Sequence, residues 1–463
     1  MMRTGLVAAA VLLATACTSL DTADDRRELA DLVQQRTGAA VAEAPTDLDP
    51  AVADAVADLL LRPLTEAAAV CIALLHNQRV RALWARLGVA RGDLVQAGLL
   101  RNPRFDVDVR FLETGGTSLE YGLAQPVVDL FVRPLRERLA EHEFAGARLW
   151  LADALTRFVF DVRRAWVDVQ AATATAALQR QALQVAEAAH ELQLALHAAG
   201  NATDRELAEV RVGETRARLD LAAAELAERQ AREVLQALLG LWGTHTEWSL
   251  AGTLLDGVPS PPDGAQVEAR AVAASFELQA HRAGLDALAQ QAGLDSWRGW
   301  FPDLALGVSG VRQAGGRTGH GPRIAGELPL FDAGGTRRAR TEAGLRAGLH
   351  DHTQLAVEVR AEARLRRDRA EALAAMAAFQ RDEHLPARAA ALRTALQHYN
   401  AMQIGAFEVL RERRQQLADE AERIDTERAA RCAALDLAQL LAGSRPGPDR
   451  DAMTPPSASE DRP

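Results

Sequence analysis

A helical pattern runs for about 70 residues between Pro126 and Gly200, and a second of nearly the same length runs between Pro329 and Met402. At 1.5 Å per residue each spans roughly 105 Å. Helices of ordinary globular domains average about 11–12 residues. Two equal, very long helices build a long object and not a compact domain. Inside the first, Leu155, Val159, Val162, Trp166 and Val169 recur at spacings of four and three, which is one apolar stripe.

The long helices belong to a repeat of roughly 200 residues. Each copy reads helix–strand–strand–helix–helix. In the first, Phe105, Val107, Val109 and Phe111 alternate with Asp106, Asp108 and Arg110, the period of a strand with one oily and one charged face. Gly115-Gly116 turns the chain, and Leu119, Tyr121 and Leu123 alternate on the way back to Pro126. In the second, Leu304, Leu306 and Val308 alternate, Gly315-Gly316 turns, and Arg323 to Leu328 returns to Pro329. The organisation predicted is a first repeat over 61–250 with strands at about 104–125, a linker over 251–264, and a second repeat over 265–443 with strands at about 303–328. Residues 17–60 form an N-terminal arm, read as extended or loosely ordered, and 444–463 a disordered tail rich in Pro, Ser and Asp.

Composition removes several classes of function. Lys+Arg number 53 against 63 Asp+Glu, a net charge of −10, so no basic face for nucleic acid is expected. Aromatic residues are 4% of the chain, too few for the girdles of a barrel made by one chain alone. Three cysteines are too few for a disulfide scaffold or a zinc site. No nucleophile elbow, phosphate loop or HExxH is present, so no enzyme and no cofactor is expected. His350 and His352 are two apart and point to different helix faces, and His190 and His197 share a face without a visible partner. No metal site is assigned.

The N-terminus reads as an address. Arg3 precedes the apolar run Leu6 to Ala14, and Ala14-Thr15-Ala16 precedes Cys17, so residues 1–16 are a signal peptide. Leu13-Ala14-Thr15-Ala16-Cys17 also resembles a bacterial lipobox, which makes Cys17 a candidate lipid attachment site. Ordinary cleavage after Ala16 fits the same residues.

The strands are 8–10 residues long, the length of a tilted transmembrane strand. Four of them cannot close a barrel, and an open edge is forbidden in lipid. Three copies would supply about 12 strands, within the range of known barrels. The oily faces would then meet lipid, and Asp106, Asp108, Arg110 and Glu120 would line a wet lumen. Trp297, Trp300 and Phe301 before the third strand, with Phe131 and Phe331 after the second and fourth, stand where an aromatic belt would lie. A soluble sheet with one face buried in protein is the other reading of the same alternation.

Over about residues 55–443 the chain resembles the TolC-type outer membrane efflux protein family, and within it the lipid-anchored factors of drug and heavy-metal pumps. The resemblance rests on Ala90-Arg91-Gly92-Asp93-Leu94-Val95-Gln96-Ala97-Gly98-Leu99-Leu100-Arg101-Asn102-Pro103, on Leu328 to Gly335, on the tip Ala199 to Asp204 and on the tip Tyr399 to Leu410. It implies a mainly α fold with a small β part: a homotrimeric 12-stranded β-barrel in the bacterial outer membrane on a long α-helical barrel crossing the periplasm. It implies partners too, a periplasmic adaptor and an inner-membrane pump of the resistance-nodulation-division type, beside outer membrane lipid. The function implied is a passive exit duct for drugs or metal ions. A duct for type I protein secretion and a secreted coiled-coil scaffold are the alternatives. Gly200, Asn201, Thr203, Asp204, Met402, Gln403, Gly405 and Phe407 are the candidate adaptor-contacting tips, and Asp204 and Glu408 the candidate aperture. Met402 stands where the family usually has glycine.

Overall fold

The computed structural model describes residues 21–41, 50–113, 116–254, 266–300, 303–327, 330–331 and 333–447. The signal peptide, Cys17, most of the linker and most of the tail lie outside them. Helices α1 (Ala23–Thr37), α2 (Pro50–Leu60), α3 (Glu66–His76) and α4 (Gln78–Gly98) lead into strands β1 (Arg104–Phe111) and β2 (Thr117–Pro126). Helices α5 (Val128–Ala198) and α6 (Asp204–Leu239) complete the first repeat. The second runs α7 (Val267–Ala274), α8 (Phe276–Trp300), β3 (Leu304–Arg312), β4 (Thr318–Gly326), α9 (Gly335–Phe379), a π turn (Gln380–His384), α10 (Leu385–Asn400) and α11 (Ala406–Leu441). The fold is mainly α with a small antiparallel sheet in the order β1-β2-β3-β4. No described helix is long and apolar enough to cross a membrane.

The 71 residues of α5 are the spine. Its predicted stripe Leu155, Val159, Val162, Trp166 and Val169 is buried. The stripe packs with Leu83 and Leu87 of α4, Leu235 and Leu239 of α6, and Leu417 and Ile424 of α11. Around it α5 contacts α6 on one side and α11 on another, and α11 continues to α9 and α10. Near the hairpin turns the wall is therefore α6–α5–α11–α10.

Several local features differ from the sequence expectation. The segment read as a loose arm contains α1, whose Leu29 and Val33 are buried in the same core. Its apolar residues are few but spaced for one face, and packing supplies what its polar composition lacks. The helical stretch before β1 breaks at Asn77, which caps α4 by accepting from Arg79 N–H at 2.7 Å. The Asn77 amide also donates to the carbonyls of Ala237 and Leu238 at 3.2 and 2.8 Å, tying that break to the end of α6. The helix before β3 breaks at Ser275, whose hydroxyl accepts from Leu278 N–H at 3.2 Å. The second long helix is interrupted by the π turn just ahead of Pro386. Proline lacks an N–H and crowds the carbonyl four residues back, and a wider turn absorbs both. Finally, β4 starts at Thr318 rather than Arg323. Its glycines hide any alternation, and pairing with β3 makes it a strand.

Candidate functional site

Two places concentrate chemistry that the fold does not use up: the four-stranded sheet and the pair of hairpin turns at the opposite end of the long helices. On the sheet, register puts Arg104, Asp106, Asp108 and Arg110 of β1, Glu120 of β2 and Arg323 of β4 on one face. Arg110 lies 3.1 Å from Asp108 and 3.8 Å from Glu120. The other face carries Phe105, Val107, Val109, Phe111, Leu123, Val308 and Ile324, all exposed. A soluble protein rarely leaves so large a continuous apolar surface uncovered. Among the described residues no other element covers it. Below the sheet, Phe131 and Trp297 stack with ring centroids 6.5 Å apart, and Phe331 is fully exposed.

At the foot of the sheet, Asp129 is 1% exposed and sits between Arg101 and Arg136, at 2.7 and 3.7 Å. Burial alone would raise its pKa. The Arg101 hydrogen bond and the two guanidinium charges outweigh burial and hold it below the usual carboxylate range. A charged Asp129 thus locks the β2–α5 junction to the segment before β1.

The hairpin turns are built alike. At the first, Gly200 adopts φ +77°, its N–H donates to His197 O at 2.9 Å, and Asn201 N–H donates to Leu196 O at 2.8 Å. At the second, Met402 adopts φ +60°, its N–H donates to Tyr399 O at 2.9 Å, and Gln403 N–H donates to His398 O at 2.9 Å. Both satisfy the last carbonyls of a helix through a left-handed residue. The next helix starts differently in the two. Thr203 and Glu206 form a reciprocal cap, Thr203 N–H donating to Glu206 Oε2 at 2.8 Å and Glu206 N–H donating to Thr203 Oγ1 at 3.3 Å. The Thr203 N–H, and after it the Thr203 hydroxyl, both donating to Glu206 Oε2, hold that carboxyl below its usual pKa. Gly405 opens α11 with no side-chain cap. Asp204 is almost wholly exposed and pairs with His197 at 2.8 Å. Met402 and Glu408 are exposed, and Phe407 is half-buried. The turns thus present Asn201, Asp204, Met402, Gln403 and Glu408 outward, while Thr203 spends its side chain on the cap.

The sheet has free edges at β1 and β4, and the helical wall has free edges at α6 and at α9–α10. Along α6 the exposed residues Val212, Leu219, Leu226 and Val234 recur every seven or eight residues. Along α9, Leu349, Val357 and Leu365 are exposed too, each about 80° further round the helix than the one before. Sequence reading did not single out these exposed apolar residues. Their spacing was visible, but which stripe faces the core is decided by packing.

Among the described residues no group of three His, Cys, Asp or Glu side chains is placed to hold a metal ion. His190 bonds Glu214 instead. Cys71 and Cys432 are free and half-buried. Burial pushes both thiols up, Cys432 to about 11.

The outer membrane efflux protein family model matches residues 70–241. Among solved structures, the CmeC outer membrane channel of Campylobacter jejuni superposes with a TM-score of 0.66 at 12% identity, covering 87% of this chain and 90% of that one. The outer membrane protein VceC of Vibrio cholerae gives 0.64 at 17%, covering 82% and 96%. The open MtrE outer membrane channel of Neisseria gonorrhoeae gives 0.62 at 17%, covering 81% and 89%. A comparison with curated protein sequences finds no match. The first repeat thus matches the outer membrane efflux protein family, and the fold of the whole chain is that of the solved outer membrane channels.

Proposed function

We propose that three copies of the chain close into one duct, a twelve-stranded barrel in the outer membrane continued by a helical barrel, through which small toxic molecules or metal ions leave passively. The family is one of outer membrane channels and not of enzymes. One observation carries the trimer: the sheet and the helical wall are both open at two edges, and the α6 edge of the wall carries an exposed apolar stripe. Pairing β4 with β1 of the next copy satisfies the backbone groups that lipid would leave unpaired. The same rotation sets the α6 stripe against the α9–α10 edge of a neighbour, a head-to-tail contact that makes a ring.

The two hairpin turns would then gather at the far end of the helical barrel. Asn201, Asp204, Met402 and Gln403 supply the exposed contacts for a periplasmic adaptor, which would connect the duct to a pump of the resistance-nodulation-division type. Asp204 and Glu408 are the proposed aperture residues. Cys17 is the proposed lipid attachment site. The duct itself supplies no energy; the pump does. Conductance of the protein purified from outer membranes, recorded in a planar bilayer beside its cross-linked mass, tests the reading. Discrete pores from a cross-linked trimer are expected. A water-soluble elongated particle without conductance would overturn the duct and leave a scaffold.

A further inference from the structure

Arg323 on β4 donates from Nη1 to both carboxylate oxygens of Asp106 on β1, at 2.6 and 2.5 Å. These strands are not neighbours; β2 and β3 lie between them. Three strand spacings of about 4.8 Å make about 14 Å across a flat sheet. The register adds an offset of two residues, since Arg323 pairs with Gly307 and Asp106 lies level with Gly122, Ser309 and Gly321. Two residues along a strand are about 7 Å, so the flat separation of the two Cα atoms is about 16 Å. An extended arginine and an aspartate at hydrogen-bond distance span about 13 Å. The bridge therefore exists only because the sheet curls toward the charged face along this diagonal.

The floor beneath the bridge is bare. A Cβ on Gly122 would meet Arg323 Nη1 at 2.6 Å and the Asp106 oxygens at 2.8 Å. A Cβ on Gly307 would meet the carbonyl oxygen of Leu123 at 2.0 Å. Glycine at 122 leaves room for the guanidinium over β2, and glycine at 307 admits the close approach of the β2 backbone. The charged face as a whole is balanced: Arg104, Arg110 and Arg323 stand against Asp106, Asp108 and Glu120.

We infer that the Arg323–Asp106 bridge is a strut on the inner wall of the barrel, which reaches across each curled four-stranded segment and sets the ion selectivity of the bore. This rests on the duct reading above. An exposed pair of this kind adds little to stability. Its effect lies in geometry and in the field of the bore. Low-dielectric walls focus the potential of each charge into the lumen. In a closed trimer every change is made three times.

The experiment is the reversal potential and single-channel conductance of the full-length protein in planar bilayers under a KCl gradient. Arg323→Gln leaves a net negative inner face and is expected to raise the potassium-to-chloride permeability ratio at least about twofold. Asp106→Asn leaves a net positive face and is expected to lower it by a similar factor. The exchange Asp106→Arg with Arg323→Asp restores both balance and bridge, and returns the ratio toward wild type. Gly122→Ala keeps every charge and obstructs the strut, so it should change conductance with little change in ratio. Ratios unchanged in both charge-removing variants would overturn the inference. If Arg323→Gln does not assemble, Asp106→Asn breaks the same bridge, and no shift there overturns it equally. A wild-type chain that forms no pore overturns the duct reading instead.

Discussion

Gly200 and Met402 occupy the same place in the two hairpin turns: each is the left-handed residue whose N–H closes the end of a long helix. Glycine adopts that backbone freely, and methionine does not. Met402 is also 94% exposed, so no packing compensates for the strain. Met402→Gly should raise the stability of the second hairpin by about 0.5–1 kcal/mol, the relieved strain exceeding the added freedom of the unfolded chain. Thermal unfolding measures it. If Met402 contacts a partner at the tip, the same variant lowers efflux-dependent resistance in cells while its melting midpoint rises. A purely structural Met402 would leave resistance unchanged.

The first tip depends on its cap. Thr203→Ala removes the hydroxyl that accepts from Glu206 N–H and should cost about 1 kcal/mol. Thr203→Ser should cost much less. Hydrogen exchange in the first turn of α6 reports the difference, with faster exchange expected for Thr203→Ala alone.

Asp419 on α11 makes the lower helices sensitive to acid. It is 8% exposed and accepts from Arg388 Nε at 2.7 Å and from Gln415 Nε2 at 3.1 Å. Burial would raise its pKa, but these hydrogen bonds and the charges of Arg388 and His384 hold it below the ordinary value. A depressed carboxylate stabilises the fold fully above its unfolded pKa of about 4 and loses that contribution as pH falls through the folded value. The melting midpoint of wild type should therefore fall more steeply below about pH 4 than that of Asp419→Asn. At neutral pH the variant should be less stable by about 1–3 kcal/mol.

The α6 stripe should decide assembly rather than folding. Val212 and Leu219 are 69% and 61% exposed in one chain, so a charge there disturbs little within it. Burial of each at a subunit contact would contribute about 1.5–3 kcal/mol. Val212→Asp with Leu219→Asp should convert cross-linked trimer to monomer while helical circular dichroism is retained. Loss of helix would place the stripe inside the fold instead.

Much of the architecture is written in local pattern. The stripe from Leu155 to Val169 faces the core because apolar side chains at spacings of four and three share one side of any helix. The strand around Val107 separates its oily and charged faces because side chains alternate on any strand. The β4 strand was legible only in part, since Thr318, Gly319 and Gly321 carry no alternation, and its start comes from pairing with β3. The helix of Leu29 and Val33 was hidden by its polar composition.

What sequence alone determined about this protein is therefore what depends on neighbours a few residues away: the two repeats, the long helices, the faces of the strands and the places where the chain turns. Tertiary structure decided what depends on residues far apart in the chain. Asp106 and Arg323 are separated by 217 positions. Nothing in either local segment marks them as a pair. They meet because four strands register side by side and the sheet curls toward its charged face.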